Sequence, residues 1–321
     1  MPDLLTIDAL NLLLVSFGVG IVVGLTGMGG GALMTPALIF LGIPPATAVA
    51  NDLVAAGVNK SVGAVTHLRN GAPNLRLAGW LMAGAIPTAF LGAFIIKWVG
   101  GDEEDTGFVR IAIGCALMLT AFTYTLRMYL QLRAVTRGAT LSSEDPPVRP
   151  IPTLLIGLVG GLLVGITSVG SGSLIMVSLL VLYPTLHAAK LVGTDLVQAV
   201  PLVISAAISH IVVHGLDWEI VIPLIIGGSP GTYLGSRIAN WVSQAVVRRG
   251  IVIVLSLTSL AMLHVDPTVV GIVGAGMLIL GPVAWGLVRR HHGLPAFEHV
   301  PGDTNGTLAA DTDSSSESSR R

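Results

Sequence analysis

Long runs without a charged residue divide the chain into segments of membrane-spanning length. Two of these runs, residues 9–51 and 150–189, contain about twice the roughly 20 residues that a helix needs to cross the hydrocarbon core. Each of the two must therefore turn back within the membrane, and each has a glycine-rich stretch near its middle. The pattern predicts an all-α polytopic membrane protein. The other uncharged runs are residues 77–96, 111–126, 196–216, 220–236, 250–265 and 267–288.

The composition agrees with this fold class and excludes several others. Charged residues make up 11% of the chain and hydrophobic residues 52%, whereas soluble globular domains contain about 25% charged residues. So few charges could not cover a water-soluble surface, so we do not expect a soluble enzyme. The net charge of −1 excludes the basic face that nucleic-acid binding requires. The single cysteine, Cys115, excludes a disulfide framework and a cysteine-based zinc site, and we expect no metal or other cofactor.

Two polar segments separate the membrane regions. Residues 132–149 are predicted to form a cytoplasmic linker, and residues 291–321, which are rich in Ser, Asp and Thr, a disordered cytoplasmic tail. These boundaries predict a first membrane repeat at residues 8–131 and a second at residues 150–264. Residues 266–290 are then an extra C-terminal transmembrane helix.

The two glycine-rich stretches belong to an internal duplication. Residues 24–31, with the sequence Gly-Leu-Thr-Gly-Met-Gly-Gly-Gly, are matched at residues 165–172 by Gly-Ile-Thr-Ser-Val-Gly-Ser-Gly. After a two-residue slip, further positions match at a constant offset, and such regularity over about 70 residues indicates a repeat. The matched pairs include Asn51 and Thr194, Asp52 and Asp195, His67 and His210, Pro87 and Pro230, and Gly92 and Gly235.

The charges of the loops predict that the two repeats are inverted. Lys and Arg collect on the cytoplasmic side of membrane proteins. One loop of the first repeat carries Arg69 and Arg76, whereas the matching loop of the second carries Asp217 and Glu219. This reversal predicts five passages per repeat, an N-terminus outside the cell and a C-terminus in the cytoplasm. Inverted repeats are common in secondary transporters, so we expect a multi-pass protein of the plasma membrane.

The glycine-rich breaks are the first candidates for a binding site. Irregular backbone inside a bilayer is tolerated only where it is buried in protein or lines a wet cavity. A break followed by a short helix directs backbone N–H groups and a positive helix end to one place, which suits an anion. The alternative is that the glycines only let helices pack closely. The candidate binding residues are Thr26, Gly27, Gly29, Gly30, Gly31, Thr167, Ser168, Gly170, Ser171 and Gly172.

Two carboxylates lie within predicted spans. Asp52 and Asp195 are each about 10 Å along their helices, and intramembrane carboxylates usually belong to ion paths or proton relays. The alternative is a structural hydrogen bond to a neighbouring helix or to the broken backbone. A carboxylate beside a bound anion would repel it unless protonated, so both residues are candidates for proton coupling. Lys60 is either a counter-charge for the anion or a side chain that reaches the inner surface.

Two histidines lie near the loop-facing ends of their predicted helices. His67 and His210 could each pass protons together with a carboxylate at the same depth. The alternative, which the polar character of helix ends favours, is that both imidazoles lie at the membrane interface and bond to backbone or headgroups.

The motifs resemble those of the TauE/SafE family of membrane transporters, over residues 8–264. The resemblance implies an inverted-repeat transporter of sulfite, sulfonates or related anions. The sequence departs from the family pattern at two places. Ala50-Asn51-Asp52 stands where Gly-Thr-Asp is common in the family, and Ala72-Pro73-Asn74 stands where Val-Asp-Trp is common. Because Gly-Thr-Asp is intact in the second half, the resemblance implies the larger role for Asp195. The residues that carry it are 24–36, Asn51-Asp52-Leu53, Asn59-Lys60-Ser61-Val62-Gly63, His67, Val192-Gly193-Thr194-Asp195-Leu196, His210, Gly215, Asp217-Trp218 and Gly228-Ser229-Pro230-Gly231.

The sequence therefore predicts a secondary transporter of a small anion, without catalytic residues. Sulfite or an organosulfonate is the candidate substrate, and a proton the candidate coupling ion. The partners are then the anion and the lipid bilayer, and not nucleic acid. The alternative is an intramembrane aspartyl protease in which Asp52 and Asp195 share a proton. The Gly-x-Gly-Asp signature of such proteases is absent from both positions.

Overall fold

The described part of the protein consists of α-helices and contains no strand. The computed structural model describes residues 7–26, 30–70, 73–100, 106–136, 146–170, 172–184, 186, 188–239, 241–242 and 244–291. The helices are α1 (Ile7–Thr26), α2 (Gly31–Phe40), α3 (Pro45–Asn70), α4 (Leu75–Gly100), α5 (Thr106–Thr136), α6 (Pro150–Thr167), α7 (Leu174–Leu182), α8 (Ala188–His214), α9 (Trp218–Ile238), α10 (Gln244–Met262) and α11 (Pro267–His291).

Within the described residues, six helices are long and apolar enough to cross a membrane: α1, α4, α5, α6, α8 and α11. The prediction of an all-α membrane protein with several spans is confirmed. α2 and α7 are short, and each follows one of the glycine-rich stretches. Each of the two long uncharged runs of the sequence therefore contains a long helix, a short helix and the start of a third helix.

The predicted polar segments differ in how far the structure describes them. α5 continues to Thr136, into the predicted linker at residues 132–149, because Leu, Arg and Ala are good helix formers and no Gly or Pro intervenes. α6 begins at Pro150, a residue that is favourable in the first turn of a helix. α11 ends at His291, and the rest of the predicted tail lies outside the described residues.

α3 and α8 form the centre of the helical assembly. They pack against each other, and each also packs against the fourth helix of the other half, α3 against α9 and α8 against α4. Val49 and Leu53 on α3 and Leu202 and Val203 on α8 are buried. Both helices that carry the intramembrane carboxylates thus bury one face in the protein.

The pairing of helices is exchanged between the two halves. α1 packs against α9, and α6, the corresponding helix of the second half, packs against α4. α5 and α10, the fifth helix of each half, pack against each other. This exchange is what a two-fold relation between the repeats would produce. The inverted orientation of the repeats in the membrane stays a prediction.

Glycines bring the paired helices into backbone contact. On α4, a Cβ atom added at Gly84 would lie 2.5 Å from the carbonyl oxygen of Leu154 on α6. On α1, a Cβ at Gly20 would lie 2.5 Å from the carbonyl oxygen of Gly228 on α9. Since apolar side chains gain little from leaving lipid, such close packing is a main source of helix association in membranes.

We expect Gly84→Ala to destabilise the protein, since the added methyl group would push α4 and α6 apart. Overpacking of this kind costs about 1–3 kcal/mol, which thermal unfolding of the purified protein in detergent would show as a lower Tm. Gly79→Ala, on the same helix, is the control because nothing lies within 4 Å of its added Cβ. Equal Tm values for the two variants would contradict the backbone contact.

Candidate functional site

The first break separates α1 from α2. α1 ends at Thr26, whose hydroxyl donates a hydrogen bond of 2.8 Å to the carbonyl of Val22 in the same helix. The carbonyl oxygen of Gly30 accepts bonds from the N–H groups of Leu33 (3.0 Å) and Met34 (2.9 Å), which starts α2. The predicted site residues Gly27 and Gly29 lie outside the described residues.

The second break follows α6 and changes the chain direction within two residues. The hydroxyl of Thr167 donates to the carbonyl of Leu163 (2.6 Å) and accepts a bond from the N–H of Val169 (3.1 Å). Ser168 adopts the left-handed conformation, with φ of 59°, and Gly170 has φ of 110°. Gly172 lies just before α7, and Ser171 is outside the described residues. Both threonine hydroxyls thus donate to their own helices.

The two breaks meet in the interior of the protein. Gly31, the first residue of α2, lies directly against Ser168, so closely that a Cβ at Gly31 would collide with the Ser168 carbonyl oxygen. Residues of both glycine-rich stretches are therefore brought to one place, although 137 positions separate them in sequence (168 minus 31). The sequence pattern predicted two breaks of similar kind, and the structure places residues of both in contact.

Asp52 lies at this junction. Its side chain is 2% exposed, and its Oδ2 atom accepts hydrogen bonds from the hydroxyls of Thr35 on α2 (2.6 Å) and of Ser168 (2.8 Å). The backbone at Ser168 is left-handed and does not continue the α6 helix, and the Ser168 hydroxyl points towards α3. One carboxylate thus joins the helix after the first break to the residue of the second break.

Asp195 has a different environment. Its Oδ1 atom accepts a bond of 3.0 Å from the amide of Gln198 on the same helix. Gln198 is buried, and its Oε1 atom has no hydrogen-bond partner among the described residues. The two carboxylates do not bond to each other in the described structure.

Two cations act on the carboxylates. Lys60 is half-buried on α3 and interacts electrostatically with Asp195 and Asp52. Arg127 on α5 also interacts with Asp195. The two roles that the sequence left open for Lys60, a counter-charge for the anion and a side chain that reaches the inner surface, stay predictions. Arg127 was missed by sequence reasoning because it directly follows the uncharged run of residues 111–126, where a basic membrane flank is expected.

The residues before the two carboxylates make matching contacts across the two halves. The Asn51 side chain accepts a bond from the N–H of Asp217 (3.2 Å), and the Thr194 hydroxyl accepts one from the N–H of Asn74 (2.9 Å). Asn74 and Asp217 occupy equivalent positions, and each caps the helix that follows it. Asn74 therefore takes part in a contact between the two halves through its backbone N–H and caps α4 with its side chain.

His210 is buried within the protein. Its Nε2 atom is 2.7 Å from the carbonyl oxygen of Gly165, three residues before the second break, and its ring stacks on His214 at 5.4 Å. The contact with the Gly165 carbonyl agrees with the predicted bond to backbone, and the depth of His210 in the membrane stays a prediction. The side chain of His67 lies outside the described ones. No group of three or more His, Cys, Asp or Glu in the described ranges could hold a metal ion.

Comparison with known proteins gives the family of this chain. The chain is 34% identical over 233 residues to the probable membrane transporter protein YjnA of Bacillus subtilis (strain 168), which covers 72% of this chain and 90% of the relative. It is 25% identical over 256 residues to the probable membrane transporter protein YdhB of the same organism, covering 78% and 99%. No solved structure matches the chain. The family model described as sulfite exporter TauE/SafE matches residues 12–262, and the chain therefore belongs to the TauE/SafE family of membrane transporters.

Proposed function

We propose that this protein is a proton-coupled secondary transporter of a small anion, of the sulfite or organosulfonate type. The single observation that carries the proposal is the junction of the two breaks, where Ser168 and Thr35 both bind Asp52. Family membership supports transport as the activity, and the family description names sulfite. The substrate-binding role of the breaks and the coupling role of the carboxylates are the parts that experiments must test.

The chemistry of the junction favours an anion that arrives with a proton. The breaks end in backbone N–H groups and in the positive ends of α2 and α7, which attract negative charge. The ionised carboxylate of Asp52 in the same place would repel an anion. Uptake of a proton by Asp52 removes the repulsion, so proton and anion binding are coupled. Both described donors bind Oδ2, which leaves Oδ1 as the oxygen for the proton.

The binding role of the first break is tested by Gly30→Val. A Cβ at Gly30 comes no closer than 3.9 Å to Val23, and Gly30 has helical angles that L-residues adopt, so the fold should survive. We expect the branched side chain to block the approach of the anion to α2. The measurement is the Tm of the purified variant with and without sulfite, sulfate, thiosulfate and sulfonates, because a ligand that binds the folded state raises its stability.

The matched control for this test is Gly79→Val, on the face of α4 where nothing lies within 4 Å of the added Cβ. Gly31 is unsuitable, because it contacts Ser168 and any side chain there would disturb packing. If Gly30→Val keeps the full ligand-induced rise in Tm of the unaltered protein, the first break serves packing and not binding.

Proton coupling is tested by Asp52→Asn and Asp195→Asn. Asn keeps the size and accepts hydrogen bonds but does not titrate, so each variant should bind the anion and exchange it while losing accumulation driven by a pH gradient. We expect the larger loss for Asp52, because it contacts the breaks and Asp195 contacts Gln198. Counterflow and gradient-driven uptake in liposomes measure the two activities. Asp266→Asn is the control, since Asp266 is exposed between α10 and α11.

If both membrane Asp variants retain full gradient-driven accumulation, the carboxylates are structural and the coupling model is wrong. If they lose exchange as well, the residues act in binding or folding, and coupling through titration is again excluded.

The inverted orientation, with the N-terminus outside and the C-terminus in the cytoplasm of the plasma membrane, is tested at two equivalent positions. Arg76 on α4 and Glu219 on α9 occupy matching places in the repeats and are both exposed. In a Cys115→Ser background, we expect Glu219→Cys to react with an impermeant thiol reagent from outside intact cells and Arg76→Cys to react only after lysis. Reaction of both from the same side would show parallel repeats.

A further inference from the structure

A long apolar groove runs between α5, α10 and α11, away from the two breaks. Its volume is about 750 Å³, within the range of ligand-binding cavities. Its lining along α11 extends from Val273 to Val288, about 22 Å of helix. That length exceeds half of the roughly 30 Å hydrocarbon core, so the groove can hold an extended acyl chain of one leaflet.

The groove is open to the surrounding bilayer. Phe122 and Leu280 both line it and are 64% and 66% exposed. α11 packs against α10, and only 11% of its membrane-spanning window is buried. A lipid can therefore enter from the side, between α11 and the rest of the protein.

Arg249 is the single charged residue among the described residues that line the groove. Its Nε atom is buried, and no described residue accepts a hydrogen bond from it. A buried donor without an acceptor is costly, and a guanidinium group pairs well with the oxygens of a phosphate. Arg249 lies near the start of α10, and Trp285 and Val288 lie near the end of α11. This end of the groove is therefore close to the membrane surface, where phosphates lie.

The charge of the three helices is entirely basic. α5, α10 and α11 contain no Asp or Glu within their bounds. Arg248 lies beside the lining residue Arg249 near the start of α10. Arg290 lies near the end of α11, which is at the same end of the groove. Basic pockets between transmembrane helices are typical sites for acidic lipid headgroups.

We propose that this groove binds one anionic phospholipid, with an acyl chain along α11 and the phosphate at Arg249. The site is separate from the junction of the breaks, and its occupation requires no transport activity. Net negative charge distinguishes this ligand from the zwitterionic lipids that also carry a phosphate, because the surrounding arginines have no acidic neighbours on the three helices.

The test is native mass spectrometry of the purified full-length chain, titrated with phosphatidylglycerol or phosphatidylcholine of identical acyl chains. We expect phosphatidylglycerol to occupy the tightest site first. Arg249→Ala should weaken that binding about fivefold or more, and Arg249→Lys should restore part of it. Arg76→Ala is the matched control, since Arg76 is exposed on α4 and does not line the groove.

A second variant fills the groove without touching Arg249. Gly276 lines the groove, and nothing lies within 4 Å of a Cβ added to it. Gly276→Leu should therefore lower the binding of both lipids while leaving the Tm of the lipid-free protein unchanged.

Three results would overturn the proposal. The first is equal affinity of the unaltered protein for the two lipids, and the second is undiminished phosphatidylglycerol binding by Arg249→Ala. The third is a dimer that Gly276→Leu dissociates while phosphatidylglycerol binding stays unchanged, which would show that a second copy of the chain covers the groove.

Discussion

Hydrocarbon offers no hydrogen-bond partners, so a helix that ends inside the bilayer must satisfy its backbone and its polar side chains within the protein. The second break shows how this is done: the Thr167 hydroxyl accepts the Val169 N–H, and the Ser168 hydroxyl donates to Asp52. The same requirement places Ser168 against Gly31 at the centre and not against lipid. The positions of α3 and α8 follow, since they enclose the place where the interrupted helices end.

The fold class and the places of interruption could be predicted from the sequence, because both depend on local composition. Uncharged runs too long for one span require a break, and glycine-rich stretches mark where it lies. The contacts of the breaks could not be predicted in this way. The bond between Ser168 and Asp52 joins residues that are 116 positions apart, and a repeat pattern does not reveal which half a side chain faces.

The same limit applies to the second carboxylate, whose predicted larger role stays a prediction. Its intact Gly-Thr-Asp context suggested the larger role for Asp195, whereas the described structure places Asp52 at the junction. A sequence motif shows which side chains its own helix carries, and not which residues of other helices they contact. Here the preceding residues, Asn51 and Thr194, accept bonds from N–H groups of the opposite half, so part of the motif serves assembly. Gln198 could have been found from its spacing, since residues three positions apart share a helix face.

Ser168 has an unfavourable backbone conformation, but its side chain supplies a hydrogen bond to Asp52. The left-handed conformation costs a residue with a Cβ about 1 kcal/mol or more, whereas glycine adopts it freely, so a glycine at this position would relax the backbone. The same exchange would remove the hydroxyl that donates to Asp52. A Ser168→Gly variant would thus gain backbone stability and lose a side-chain hydrogen bond. It could unfold at an unchanged temperature while Asp52 had lost a donor. A screen for thermostability alone would therefore accept a protein whose central polar contact is missing.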